Sequence, residues 1–423
     1  MMSKLYEWGI QLYVLGIRIA AFFSPKAKAW WTGRQGLISK FKKQVSQNQV
    51  TIWMHCASLG EFEQGRPLLE KIKRVYPHYQ LVLTFFSPSG YQIRKNYPLA
   101  DLVTYLPIDT RAAVKQFVDV LDPDLVIIVK YEFWLHLINY LDQKNIPLFL
   151  IAGLFRPSQI FFRWYGSLFR KALHQFEHLF VHNEASLDLL KTISVKHSSK
   201  AGDPRIDRVL QIAKQARSFP ELAPFCQEGP VLIAGSTWPP DEVLLAEVLN
   251  RPEHRDWRLI IAPHQLSPSH LQAIESSFGP SCVRYSQIHP QQLAKARVLI
   301  IDNIGMLASL YAYGQIAYIG GAFKTGLHNT LEPASFALPI LFGPKYHKFE
   351  EAKALVQLGA AFCITNTQEL HDTLRHLSTE KVRIQAGSLS RQYLEKERGA
   401  TETIFAQMDN LLSTLGSHKV PVE

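Results

Sequence analysis

The chain has 423 residues, 47% of them hydrophobic, and carries 46 Lys and Arg against 36 Asp and Glu, a net charge of +10. This excludes a disordered or fibrous protein and predicts two domains, because single cores seldom grow past about 250–300 residues. The charge favours anionic partners, but no basic block alternates with aromatics, so nucleic acid is not expected, and the scattered Cys56, Cys226, Cys282 and Cys363 form no CxxC, which fits a reducing compartment without structural zinc.

At the N-terminus, Trp8 to Trp31 joins the apolar run Val14 to Phe23 to Lys26, Lys28, Arg34 and the Trp30/Trp31 pair. Gln11 and Arg18 interrupt it, and it falls short of the roughly 20 apolar residues that a bilayer crossing needs. The pattern predicts a helix lying in the membrane interface at the cytoplasmic face. The competing reading is a first helix packed on its own domain. A cleavable signal is not expected, since the basic leader is thin and no small-x-small site follows.

From Thr51, strand-length apolar runs alternate with helix-length stretches: Thr51 to Ala57, Leu81 to Phe86, Leu125 to Val129, Pro147 to Ala152 and Leu179 to His182. Continuous apolar strands belong in parallel sheets covered on both faces. The first, in HCASLGEFEQGR, passes through Ser58 and Gly60 into a helix that opens at Glu61. A carboxylate at a strand's C-terminal end sits where open α/β sheets bind ligands, and it can accept a proton. Ser58 with Glu61 equally matches the S-x-x-E capping box. After the second strand, Ser87 and Ser89 have the composition of either a sugar-binding hydroxyl cluster or a plain turn. Asp122 and Asp124 show DxD spacing but precede their strand, on the wrong edge for a ligand, whereas Lys130 and Glu132 follow it.

The alternation pauses between Lys196 and Gly229 and resumes at Val231 to Ala234, Leu259 to Ala262, Val298 to Ile301 and Ile316 to Ile319. Each is followed by a loop suited to a ligand: Gly235, Ser236 and Thr237; Pro263 and His264; Ile304, Gly305 and Met306; then the glycine-rich Gly320, Gly321 and Gly326. Asn329 and Thr330 are expected to cap a helix that Glu332 and Pro333 open, before a second short strand reaching Pro344.

Taken together, HCASLGE, YLPIDT, LVIIVKYEFW, AGDPRID, IAGSTW, APH, DNIG and GGAFKTGLHNTLEPASFALPILFGP resemble the 3-deoxy-D-manno-octulosonic acid (Kdo) transferases of lipopolysaccharide assembly. The resemblance implies an α/β fold of GT-B class: two Rossmann-like domains with parallel sheets facing a central cleft, and an N-terminal membrane-associated helix. The boundaries it suggests are 1–40 for that helical segment, 41–205 for the acceptor domain and 206–423 for the CMP-sugar domain. It implies CMP-Kdo as donor and a lipid A precursor (lipid IVA) as acceptor, at the cytoplasmic face of the inner membrane, with no metal or other cofactor. Glu61 then matches the general base and Arg205, in DPRID, a position that stabilises the transition state. Pro263, His264, Ile304, Gly305, Met306, Asn329, Thr330, Leu331 and Glu332 match nucleotide-binding positions. The chain departs from the family's pattern in APHQ, IGML and KYEFW, where Lys130 stands for a carboxylate. Two alternatives remain: a GT-B enzyme using a UDP-sugar, and a non-catalytic membrane-surface scaffold in which Glu61 is only a cap. A dehydrogenase is disfavoured because no GxGxxG follows a strand.

Overall fold

The computed structural model describes residues 2–46, 48–324 and 326–419. They form two compact units, Met1–Asp207 with Arg398–Glu423, and Arg208–Glu397. In the first, the strands are β1 (Thr51–Cys56), β2 (Gln80–Phe85), β3 (Leu102–Tyr105), β4 (Leu125–Val129), β5 (Leu148–Gly153), β6 (His178–Val181) and β7 (Ser198–Lys200), in the order β3-β2-β1-β4-β5-β6-β7. All their pairings are parallel. The order reverses at β1 and β4, which is where a doubly wound sheet opens a ligand crevice.

Alternate residues of these strands feed two cores. Trp53, Val82, Val126, Ile128 and Leu150 enter one, while Met54, Leu83, Ile127, Val129 and Ile151 enter the other. The helix Leu59–Val75 packs so closely on the second face that a Cβ on Gly65 would lie 2.6 Å from the Met54 sulfur and 3.0 Å from Val129. That glycine lets the helix start sit directly over the ends of β1 and β4.

The second unit repeats the plan with β8 (Val231–Thr237), β9 (Arg258–Pro263), β10 (Cys282–Arg284), β11 (Val298–Ile300), β12 (Ile316–Ile319), β13 (Ile340–Phe342) and β14 (Ala361–Cys363). Their order is β10-β11-β9-β8-β12-β13-β14, again parallel throughout. Two doubly wound parallel sheets in one chain are the content of a GT-B protein. The expected boundary needs one correction. Residues 206–423 do not stay together, because the helix Ala400–Lys419 packs on the first unit, where Ile404, Phe405, Met408 and Leu412 join the core beside Leu68 and Ile72. Asp207 accepts from the backbone N–H groups of Gly399 and Thr401, both at 2.7 Å, and so anchors the start of that helix.

The N-terminal helices Met2–Ala20 and Pro25–Arg34 also belong to the first unit. Tyr6 donates to Asp109 at 2.6 Å and Ile10 is buried. Trp30 and Arg34, expected as interfacial flanks, turn inward instead. The Arg34 guanidinium donates to the carbonyls of Trp30, Phe86 and Leu106 and lies over the rings of Trp30, Phe86 and Tyr105. Desolvation in this cage lowers its pKa to about 9. The opposite stripe of the first helix, Leu5, Trp8, Leu12, Leu15 and Ile19, is exposed, as are Phe22 and Phe23 beyond it. Among the described residues no helix is long and apolar enough to cross a membrane.

Candidate active site

In the first unit the site is built at the C-terminal ends of β1 and β4. Ser58 is the N-cap of Leu59–Val75, its hydroxyl accepting from the Glu61 N–H at 3.4 Å, and the Glu61 carboxylate reaches back to accept from the Ala57 N–H at 2.5 Å. The capping geometry is therefore present, yet the carboxyl is not that of a simple cap. Burial, then the charge of Glu132, raise its pKa from 4.5 to about 7, against the opposing pull of the Ala57 N–H and of Lys130. A group so poised can take a proton near neutral pH. Gly60 is exposed beside it, and a Cβ there would touch only the Ser58 hydroxyl, at 4.0 Å.

Lys130 and Glu132 follow β4. Lys130 has φ of +72°, a left-handed conformation rare for a lysine, and its N–H donates to Ile151 at 2.9 Å, so strain is held at the strand end next to Glu61. Glu132 accepts from the Trp134 indole at 2.7 Å. Ser87 caps the helix Pro88–Arg94 by accepting from the Gly90 N–H at 3.3 Å, and its hydroxyl lies 3.3 Å from that of the exposed Ser89. These two serines share the ligand edge, since β2 neighbours β1.

Arg205 follows β7, which stands four strand positions from β1 in the sheet. Its guanidinium clamps Asp203, with Nε 2.9 Å from Oδ2. Although burial alone would push the Asp203 carboxyl up, Arg205 and then His182 hold it well below the ordinary range. The DxD pair is accounted for by the turn before β4, where Asp122 adopts φ of +45° and Asp124 accepts from the Thr51 N–H at 2.8 Å.

In the second unit four loops leave adjacent strands, β11, β9, β8 and β12, at one sheet edge. At the end of β8 the register with β9 shifts between Gly235 and Thr237, and Ser236 takes φ of +55°. This irregularity leaves Ser236 half-exposed at the ligand edge. Its neighbours serve the fold: Gly235 makes room for Tyr311, and the buried Thr237 hydroxyl donates to Glu242 at 2.9 Å. Pro263 is buried at the end of β9, while His264 is exposed and stacks on both Trp238 and His328, with each ring centroid 4.7 Å away. The Trp238 indole also donates to His328 Nε2 at 3.1 Å. Trp238 and His328 form this aromatic wall with His264 but did not stand out in the sequence.

Ile304 is 92% exposed and Gly305 has φ of +95°, so both project from the loop, but the Met306 side chain is buried. In the glycine-rich loop the Gly321 N–H donates to Asp241 at 3.0 Å, and Asp241 also accepts from Tyr318 and the Trp238 N–H. Thr330 is not a side-chain cap. Asn329 accepts from the Leu331 N–H and donates to Glu332, both at 3.0 Å, while Thr330 and Leu331 are buried. The helix they begin, Leu331–Ser335, is a single turn. Glu332 is left half-exposed, with Asn329 fixing one of its oxygens.

Residues 30–208 match a family described as 3-deoxy-D-manno-octulosonic-acid transferase (kdotransferase). Over 368 residues the chain is 27% identical to a 3-deoxy-D-manno-octulosonic acid transferase of Aquifex aeolicus, covering 84% of this chain and 95% of that protein. Identity to the enzyme of the same name from Rickettsia typhi is 25% over 351 residues, covering 81% of this chain and 74% of that protein. Among solved structures, a putative UDP-N-acetylglucosamine 2-epimerase from Listeria monocytogenes superimposes with a TM-score of 0.59 at 11% identity, covering 86% of this chain and 97% of that one. That likeness is one of fold alone.

Proposed function

We propose that the chain, similar to the Kdo transferases of lipopolysaccharide synthesis, moves Kdo from CMP-Kdo to a lipid A precursor of the lipid IVA type. The observation that carries the mechanism is the Glu61 carboxyl, half-buried at the ligand edge of the first sheet with its pKa raised to about 7. Glu61 takes the proton of the acceptor hydroxyl as that oxygen attacks the anomeric carbon of Kdo. The bond from that carbon to the CMP phosphate breaks, and CMP leaves as a phosphate monoester with the bonding electrons.

Lys130 and Glu132 set the field around the base, with opposite effects on its pKa. In the second unit, Ser236, the aromatic wall of His264, the exposed loop at Ile304 and Gly305, and the half-exposed Glu332 receive the donor. Met306, Thr330 and Leu331 contribute through the backbone, since their side chains are buried. Arg205 acts as a pair with Asp203 rather than as an isolated cation. The lipid acceptor is met at the cytoplasmic face of the inner membrane, on which the exposed stripe of the first helix rests.

The test is Kdo transfer from CMP-Kdo, generated in place, to a tetraacyl lipid A precursor, read by the mass of the lipid. Wild type should add Kdo, and Glu61→Gln should lose roughly 100-fold or more of kcat, as loss of a general base does, while still binding CMP. An active Glu61→Gln enzyme would exclude the assigned base.

A further inference from the structure

His55 is completely buried in β1, one position before Cys56, and pairs in register with Thr84 of β2 and Ile128 of β4. An imidazole at the centre of a parallel sheet needs partners, because an unpaired buried polar group costs about 1–3 kcal/mol. Its Nδ1 lies 2.8 Å from the Thr84 hydroxyl. The same hydroxyl oxygen accepts from the Trp53 indole at 2.8 Å. A hydroxyl that accepts from Trp53 still has its own proton to give to Nδ1, and in that arrangement the imidazole proton falls on Nε2.

That nitrogen points at Glu132, 3.5 Å from Oε2, and among the described residues has no hydrogen-bond partner. The opposite tautomer would set a lone pair against a carboxylate. The distance is long for a hydrogen bond, as catalytic contacts often are before substrate binds. On its other side the same Glu132 oxygen is held by Trp134, whose ring stacks on Phe86 at 5.0 Å.

We propose that His55 is a positioning residue for the transfer: oriented by Trp53 and Thr84, it holds the Glu132 carboxylate in place beside the base Glu61. The inference rests on the reading of Glu61 given above. It explains why a chain with Lys130 at the strand end still has a base near neutrality: the charge on Glu132 opposes that of Lys130 at Glu61. Other titratable groups around the two carboxylates are Cys56 of β1, Glu63 on the helix of Glu61, and Tyr13 and Arg34 of the N-terminal helices. They are unchanged in every variant below.

The experiment is the pH dependence of kcat for wild type, His55→Leu, His55→Gln and Thr84→Val, with Glu61→Gln as control. His55→Leu should lose roughly tenfold in kcat, in the manner of outer-shell partners elsewhere, and its acidic limb should move to lower pH as Glu132 loses its hold. His55→Gln, which keeps an N–H donor near Nε2, should return toward wild type. Thr84→Val should shift the limb in the same direction by less, and it decides the matter should His55→Leu not fold. A wild-type limb in the folded variants, or a loss that His55→Gln does not restore, overturns the role of His55. If Glu61→Gln stays active, the reading of the base fails and this inference with it; if Glu61→Gln is inactive and the limb does not move, only this inference fails.

Discussion

A carboxylate in the first turn of a helix normally lies below its usual pKa, because the free N–H groups there favour its charged form. Glu61 has such a donor at Ala57 and still sits near 7, since burial and Glu132 outweigh it. Two consequences follow for measurement. Transfer should rise with pH as Glu61 ionises and level off above about 7, a limb absent from Glu61→Gln. Stability should run the other way. The folded pKa exceeds the unfolded value of 4.5, so below that value the group costs nothing, and the cost grows until pH passes the folded value near 7. A shift of this size, discounted for partial exposure, is on the order of 1–3 kcal/mol. Glu61→Gln should therefore unfold at a higher temperature than wild type at pH 8 and at the same temperature at pH 4; equal stability at pH 8 would mean the carboxyl is not perturbed. The position of Glu61 is legible in SLGE, because strand, serine and glutamate follow one another. Its environment is not legible. Glu132 comes from a different strand end, and His55 reads as one more residue of a buried run until register sets it opposite Thr84.

The strands read correctly from the sequence are central ones, whose apolar runs are unbroken because both faces are covered. The four that escaped notice, β3, β7, β10 and β14, are the edge strands of the two sheets. Each has only three or four residues and includes partly exposed positions, so neither length nor hydrophobicity announces it. The first helix shows the same limit in another form. Tyr6 and Ile10 dock on the first unit, as the packed reading expected, whereas Leu5, Trp8, Leu12, Leu15 and Ile19 stay exposed. Spacings of three and four residues put the latter in one stripe. Replacing Leu12, Phe22 and Phe23 with Glu should release the protein from anionic vesicles while leaving CMP binding and the melting temperature unchanged. Retention on vesicles would place the membrane contact elsewhere. Deleting the helix is the poorer test, since it also removes the Tyr6 bond to Asp109.

At the scale of the whole chain, two domains were expected from length and a pause in alternation; the two compact units divide after Asp207 and again after Glu397. The return of the last helix was illegible because nothing in its sequence names the surface it covers. That surface is defined by Leu68, Leu69 and Ile72, far away in the chain. Ile404, Phe405, Met408 and Leu412 are at most 6% exposed there. Burying four such side chains contributes about 6–12 kcal/mol, comparable to the whole stability of a domain. A chain ending at Glu397 should therefore lose the cooperative unfolding of its first unit and all transfer, yet still bind CMP through the second. A native-like first transition by calorimetry would show the helix to be dispensable.

Because Ala400–Lys419 closes the core of the first unit, that unit cannot be finished when its own strands leave the ribosome. It must wait while Arg208–Glu397 is synthesised, roughly 10–40 s at ordinary bacterial elongation rates. During that interval the apolar surface around Leu68 and Ile72 is uncovered. The nascent chain thus carries an apolar patch that exists only until the last helix emerges and docks.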